Sequence, residues 1–178
     1  MKKISVKQLV LTALFAALTF VATFVIRIPI PATGGYVNLG DCVVLISGFL
    51  IGPYMGAFAA GIGSAIADII GYPIYAPATF IIKALVALIA GILFKFSKTK
   101  SPLWIVICSI IGEAFMVLGY YVFEAFILGL GWATAAAGVP ANIFQAITGV
   151  TAASLLMQIF VSKKAKLNND DFSEYEEE

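Results

Sequence analysis

The chain has 178 residues, of which 61% are hydrophobic and 12% charged, with a mean hydropathy of +1.01. A soluble domain averages ~45–50% apolar and ~25% charged, so a soluble globular fold is excluded in favour of an all-α integral membrane protein. A net charge of +1 leaves no basic footprint for nucleic acid, and the absence of histidine removes His–metal sites and Ser/His or Cys/His catalysis.

The first predicted helix covers residues 8–28. It follows a basic N-terminus, like a signal peptide, but its apolar run is long enough to span a bilayer and no clear cleavage site leads into a soluble domain. Pro29 and Pro31 stop it, and residues 29–40 read as a polar, Gly-rich loop. A short second helix starts at Asp41 and stops at Gly52–Pro53. The third covers 54–70, ended by Gly71-Tyr72-Pro73, and the fourth covers 78–94, after Pro77. A basic loop at 95–100 leads to the fifth helix, 102–128. A Gly-rich turn, 129–138, precedes the sixth, 139–161, with Pro140 in its first turn. Residues 1–162 thus form one membrane domain, and 163–178 a polar cytoplasmic tail expected to be disordered. The cysteines Cys42 and Cys108 form no motif.

Six transmembrane helices put both termini on one side. Lys2, Lys3, Lys7, Lys95, Lys98, Lys100, Lys163, Lys164 and Lys166 all fall there, so nine of the eleven basic residues make that side cytoplasmic. Asp41, Asp68, Lys83, Glu113 and Glu124 then lie within or at the ends of apolar spans. A charge at membrane depth costs ~2.5–3.5 kcal/mol on insertion scales and marks a functional site by default. All five fall at mid-depth or toward the outer face, which describes a one-sided cup rather than a through channel.

On the fifth helix, Glu113, Val117, Tyr120 and Glu124 share one face, and on the sixth Asn142, Gln145 and Gly149 do. Lys83 is expected to offset a glutamate, either as a structural tie between the fourth and fifth helices or as a ligand contact. Tyr36 and Asn38 are positioned to fold over the cup as a lid. Asp41 reads as an N-cap of the second helix. Asp68 divides between anchoring its loop and joining the site. Ala13 and Ala17 give the first helix small-xxx-small spacing, which lets another helix approach closely.

Six helices in about 180 residues, Ala13-xxx-Ala17, the Gly-rich first loop and an outward cup occur together with three segments. These are YVNLGD at 36–41, APATFIIKALVALIAG around Lys83, and GE…GYYVFE from Gly112 to Glu124. Over roughly residues 5–162 the chain resembles the substrate-binding S components of energy-coupling factor (ECF) transporters. Within these it is similar to the subgroup for riboflavin, hydroxymethylpyrimidine or pyridoxine-type ligands. The resemblance implies an S-component-like bundle in a prokaryotic plasma membrane that captures a vitamin or precursor with high affinity. It implies ligand contact by Tyr36, Asn38, Lys83, Glu113, Tyr120, Glu124, Asn142 and Gln145, with Asp41 and Asp68 serving the lid or the structure. It also implies docking through Ala13 and Ala17 on a transmembrane coupling subunit that carries two cytoplasmic ABC-type ATPases, followed by toppling of the bundle.

No Gly-x4-Gly-Lys-[Ser/Thr] motif occurs, so ATP is expected to be used by the partners, with no cofactor or metal bound by this chain and no enzymatic activity. A pyridoxine- or hydroxymethylpyrimidine-sized ring suits the cup best. The competing reading is a self-contained proton-coupled secondary transporter using Glu113 or Glu124, which would call for an inverted repeat that is not visible.

Overall fold

The computed structural model describes residues 5–96 and 101–173, with side chains described as far as residue 162. Helix α1, Val6–Val25, opens with a capping box: Ser5 Oγ accepts from Gln8 N–H at 3.2 Å, and Gln8 Oε1 accepts from Ser5 N–H at 3.0 Å. Its pattern is inverted relative to a soluble helix. Thr12, Thr19 and Thr23 are buried, while Leu9, Val10, Leu14, Leu18 and Val21 are exposed. The inward threonines suit an apolar surrounding because Thr12 and Thr19 return their hydroxyl protons to the carbonyls of Gln8 and Phe15, each at 2.8 Å.

The first helix ends three residues before the expected position 28, and the expected loop is a β-hairpin. Strands β1, Arg27–Ile30, and β2, Gly35–Asn38, pair antiparallel with Arg27 opposite Asn38 and Ile30 opposite Gly35. The turn closes through Thr33 N–H and Gly34 N–H to Ile30 O, and Gly34 has φ 71°, a region that favours glycine.

Helix α2, Gly40–Leu50, extends only about 16 Å at 1.5 Å per residue, half of a ~30 Å hydrocarbon core. It is nearly all buried, wrapped by α1, by α3 (Pro53–Gly71), by α4 (Ala76–Phe96) and by α7 (Val139–Ser173). Helix α5, Pro102–Val122, packs against α4 and α7 and runs directly into a π-helical turn, Phe123–Ile127. Short α6, Trp132–Ala136, lies in the expected Gly-rich turn. Pro53, Pro77, Pro102 and Pro140 all fall in first turns, where a missing N–H is tolerated.

Among the described residues, α1–α5 and α7 make a six-helix membrane-type bundle, joined by short α6 and one small hairpin. Five stretches among the described residues are long and apolar enough to cross a bilayer: Val6–Val25, Pro53–Gly71, Ala76–Phe96, Pro102–Ile127 and Trp132–Ser162. The last helix continues to Ser173, beyond the expected end at 161. The expectation for the tail falls on residues 163–178, whose side chains lie outside the described residues, as does all of 174–178. Lys2, Lys3, Lys98, Lys100, Lys163, Lys164 and Lys166, on which the expected orientation rests, lie there too.

The core joins Val44, Leu45 and Phe49 of α2 to Val86, Ala87 and Phe94 of α4 and Met116 of α5. Helices α2 and α4 meet almost backbone to backbone, since a Cβ on Gly48 would lie 2.3 Å from Ala87 O. Gly48→Ala is therefore expected to destabilise the protein. Alanine gains about 1 kcal/mol in helix propensity, but overpacking against backbone costs about 1–3 kcal/mol or more. A fall in thermal midpoint in detergent is the expected reading; a rise would show that the two helices separate freely.

Candidate functional site

Several elements, with the turn before α4 and the π turn after α5, converge beneath the hairpin. Strand β2 brings Tyr36 and Asn38, the ends of α3 and α4 bring Asp68, Tyr75 and Thr79, and α5 and α7 bring Tyr120, Glu124, Asn142 and Gln145. Together they line a small cavity of about 20 Å³, room for about one water molecule. A vitamin-sized ring enters only if the hairpin or the surrounding helix ends move.

Glu124 reaches this cavity because α5 widens. Within the π turn Phe123, Glu124 and Ala125 are all buried in succession. Such π turns are frequent at functional sites. Oε1 of Glu124 lies 3.3 Å from the Tyr75 hydroxyl, which also donates to Thr33 O at 2.9 Å. Glu124 Oε2 is buried and accepts no well-formed hydrogen bond, the Thr33 hydroxyl beside it lying outside hydrogen-bonding geometry. Thr79 Oγ1 and Tyr120 OH share a bond of 2.9 Å.

The hairpin is held at two points. At one, the Tyr36 hydroxyl donates to Asp68, and its ring stacks on Tyr72 with centroids 4.4 Å apart. Arg27 caps this stack, its guanidinium 5.1 Å from the Tyr36 ring and 4.5 Å from Phe24, with a bond of 2.6 Å to Ala67 O. At the other, Asn38 N–H donates to Gln145 Oε1 at 2.6 Å, while Gln145 Nε2 donates to Asp41 at 2.5 Å. Burial and the nearby Asp68 charge raise the Tyr36 phenol well above its usual range. Burial, followed by the Glu124 charge, pushes Tyr75 up to about 12. Both therefore remain hydroxyl donors at neutral pH.

Two sequence expectations are corrected. The ion-pair partner of Lys83 is Asp41 rather than a glutamate, both side chains being about 1% exposed. Asp41 is not an N-cap. Leu39 holds that position without a side-chain cap, and Asn38 Oδ1 takes the Gly40 N–H at 2.8 Å. The cause is tertiary, because the short α2 starts inside the bundle and carries Asp41 under Gln145 and against α4. Lys83 and Glu113 do not line the cavity. Lys83 sits below it, with its ammonium 5.4 Å from the Tyr120 ring centre. Glu113 is 1% exposed beside Asp41 and Lys83, neither of its oxygens making a well-formed bond, and it borders a separate apolar groove between α5 and α7. Tyr75 and Thr79 were missed from sequence; the aromatic-rich Tyr72-Pro73-Ile74-Tyr75 turn was the available signal. Ala13 and Ala17 are exposed on α1, bordering an apolar groove with Phe58 and Ile62 of α3. Among the described residues no group of three or more Cys, Asp or Glu side chains is placed to hold a metal.

Gln145→Leu removes the acceptor for Asn38 and a donor to Asp41. Bonds to charged groups contribute ~1.5–3 kcal/mol, so hydrogen exchange at the amides of residues 35–40 should accelerate by about tenfold or more. Unchanged protection would show that the hairpin is held at the Tyr36 end alone.

A membrane bundle with a small polar cavity beneath its hairpin suits a membrane-embedded solute-binding subunit. A family model described as "ECF-type riboflavin transporter, S component" matches residues 3–162. The "Thiamine precursor transporter HmpT" of Lactococcus lactis subsp. cremoris (strain MG1363) is 30% identical over 154 residues, covering 85% of this chain and 86% of that protein. An "Uncharacterized protein in gap 3'region" of Pyrococcus woesei is 43% identical over 131 residues, covering 73% of this chain and 85% of that protein. A solved structure described as "Structure and mechanism of the S component of a bacterial ECF transporter" superposes with a TM-score of 0.72 at 22% identity. It covers 88% of this chain and 96% of that one, a likeness of fold. The chain belongs to the S-component family of ECF transporters, the membrane-embedded, non-catalytic binding subunits of vitamin uptake.

Proposed function

We propose that this chain is the high-affinity capture subunit for a small vitamin or vitamin precursor in an ATP-driven ECF transporter of a prokaryotic plasma membrane. Pyridoxine or hydroxymethylpyrimidine is favoured, and riboflavin is the second choice. The observation that carries the reading is the cavity beneath the hairpin, with aromatic walls from Tyr36, Tyr75 and Tyr120 and convergent polar groups from Asn38, Glu124, Asn142 and Gln145. Small-ligand sites combine apolar or aromatic walls with a few such groups. The thiamine-precursor function of the Lactococcus relative supports a pyrimidine, and the description of the family model supports riboflavin. The volume of about 20 Å³ favours the smaller ligand, because a one-ring compound needs the lesser displacement of the hairpin.

With the termini cytoplasmic, the orientation the lysine distribution supports, the hairpin faces outward and admits ligand from outside. Lys83 and Glu113 then act from beneath the site rather than by contact. A coupling subunit with two ABC-type ATPases supplies the energy.

The test is to purify the protein in mild detergent, identify any co-purified small molecule by mass spectrometry, and measure thermal shifts with B-vitamins and their precursors. One aromatic vitamin or precursor carried through, or a selective shift, is the expected result. An absence of both, with uptake into vesicles lacking ATPases, would replace this reading with proton-coupled transport.

A further inference from the structure

Two carboxyl groups, Asp68 and Glu124, line the cavity, and among the described residues no lysine or arginine does. Lys83 is committed to Asp41 beneath Tyr120, and Arg27 is committed to Ala67 O on the far side of Tyr36. The two carboxyls differ in what they still require. Asp68 accepts the Tyr36 hydroxyl proton. Glu124, 2% exposed, has one oxygen beside Tyr75 and the other, Oε2, beside the Thr33 hydroxyl but without a well-formed hydrogen bond. A buried acceptor without a donor is costly, and the cost is relieved by whatever brings the donor. Asn142, buried on α7 across the cavity, adds an amide that both donates and accepts. The hydrogen-bonding demand of the cavity is thus for a donor, and its charge is negative or neutral.

We propose that Glu124 Oε2 is the specificity-determining atom of the site. It takes an N–H or O–H donor from a neutral or cationic heteroaromatic ring, such as an exocyclic amine, a protonated ring nitrogen or a hydroxymethyl group. The same cavity rejects the phosphate monoester of that ring. A phosphate monoester carries about −1.5 to −2 charge at neutral pH and offers acceptors almost exclusively. It would bring acceptors to an unmet acceptor, and negative charge to two carboxyls in a cavity whose lining holds no cation, the nearby Lys83 and Arg27 being held by Asp41 and Ala67 O. Like charges brought together in a desolvated site select strongly against the wrong ligand. This inference rests on the cavity being the capture site.

The experiment compares three pairs on the full-length protein in detergent: 4-amino-5-hydroxymethyl-2-methylpyrimidine, pyridoxine and riboflavin, each with its phosphate monoester. Titration calorimetry reads the affinities for wild type and Glu124→Gln, and the thermal midpoint without ligand checks the fold of the variant. The parent compound that binds should do so at least roughly tenfold more tightly than its ester. Glu124→Gln should weaken that parent by roughly tenfold or more. An ester within tenfold of its parent overturns charge selection on the wild-type protein alone, whatever the variant does. A folded Glu124→Gln that binds the parent within tenfold of wild type overturns the role of Oε2. If none of the six compounds binds, the capture reading itself falls, and the inference with it.

Discussion

Lys83→Met should lower the stability of the fold by about 3–5 kcal/mol, the range observed when one partner of a buried ion pair is removed. Lys83 pairs with Asp41 at about 1% exposure, and Glu113 lies beside them with both oxygens unmatched. With the ammonium gone, two carboxyls share one apolar interior with only the Gln145 amide to serve them. The helices meeting there are α2, α4, α5 and α7, so the loss is to the bundle rather than to a ligand contact. The double variant Lys83→Met with Asp41→Asn should recover much of the stability, since replacing a buried pair by uncharged groups is often neutral. Thermal unfolding in detergent measures both. If Lys83→Met keeps the wild-type midpoint but loses ligand affinity, Lys83 reaches the ligand directly, and Asp41 is its resting partner only.

The helices were legible in the sequence wherever punctuation is local. Pro53, Pro102 and Pro140 mark starts at or next to those observed, and the apolar runs between them set the lengths. The hairpin was hidden because Ile26–Ile28 read as the last turn of the first helix and Pro29, with the glycines that follow, reads as loop. Its strand state depends on pairing with Gly35–Asn38 and on Arg27 reaching Ala67, forty residues away. The polar cup was legible as a set of costly charges, and Tyr36, Asn38, Tyr120, Glu124, Asn142 and Gln145 do line one cavity. Helical spacing placed Glu113 and Glu124 on one face, but the π turn rotates Glu124 into the cavity and leaves Glu113 a layer below. Which carboxylate meets Lys83 could not be read from spacing. It is decided by how deep the short α2 sits, and that follows from the Gly48 contact with Ala87.

Ala13→Trp combined with Ala17→Trp should abolish ATP-dependent uptake while leaving vitamin affinity within about threefold of wild type, a change under roughly 1 kcal/mol. The two faces of α1 are distinct. Thr12, Thr19 and Thr23 turn inward, and Ala16 packs so closely on α3 that a Cβ on Gly63 would lie 2.3 Å from its carbonyl. Ala13 and Ala17 are exposed, so two indoles there add bulk outside the bundle and do not reach the cavity at the hairpin end. Small residues on an exposed face matter only where another helix comes close, and under the proposed function that helix would belong to the coupling subunit. Loss of binding together with uptake would mean that this face of α1 supports the fold. Uptake at the wild-type rate would mean that the coupling subunit docks on another helix.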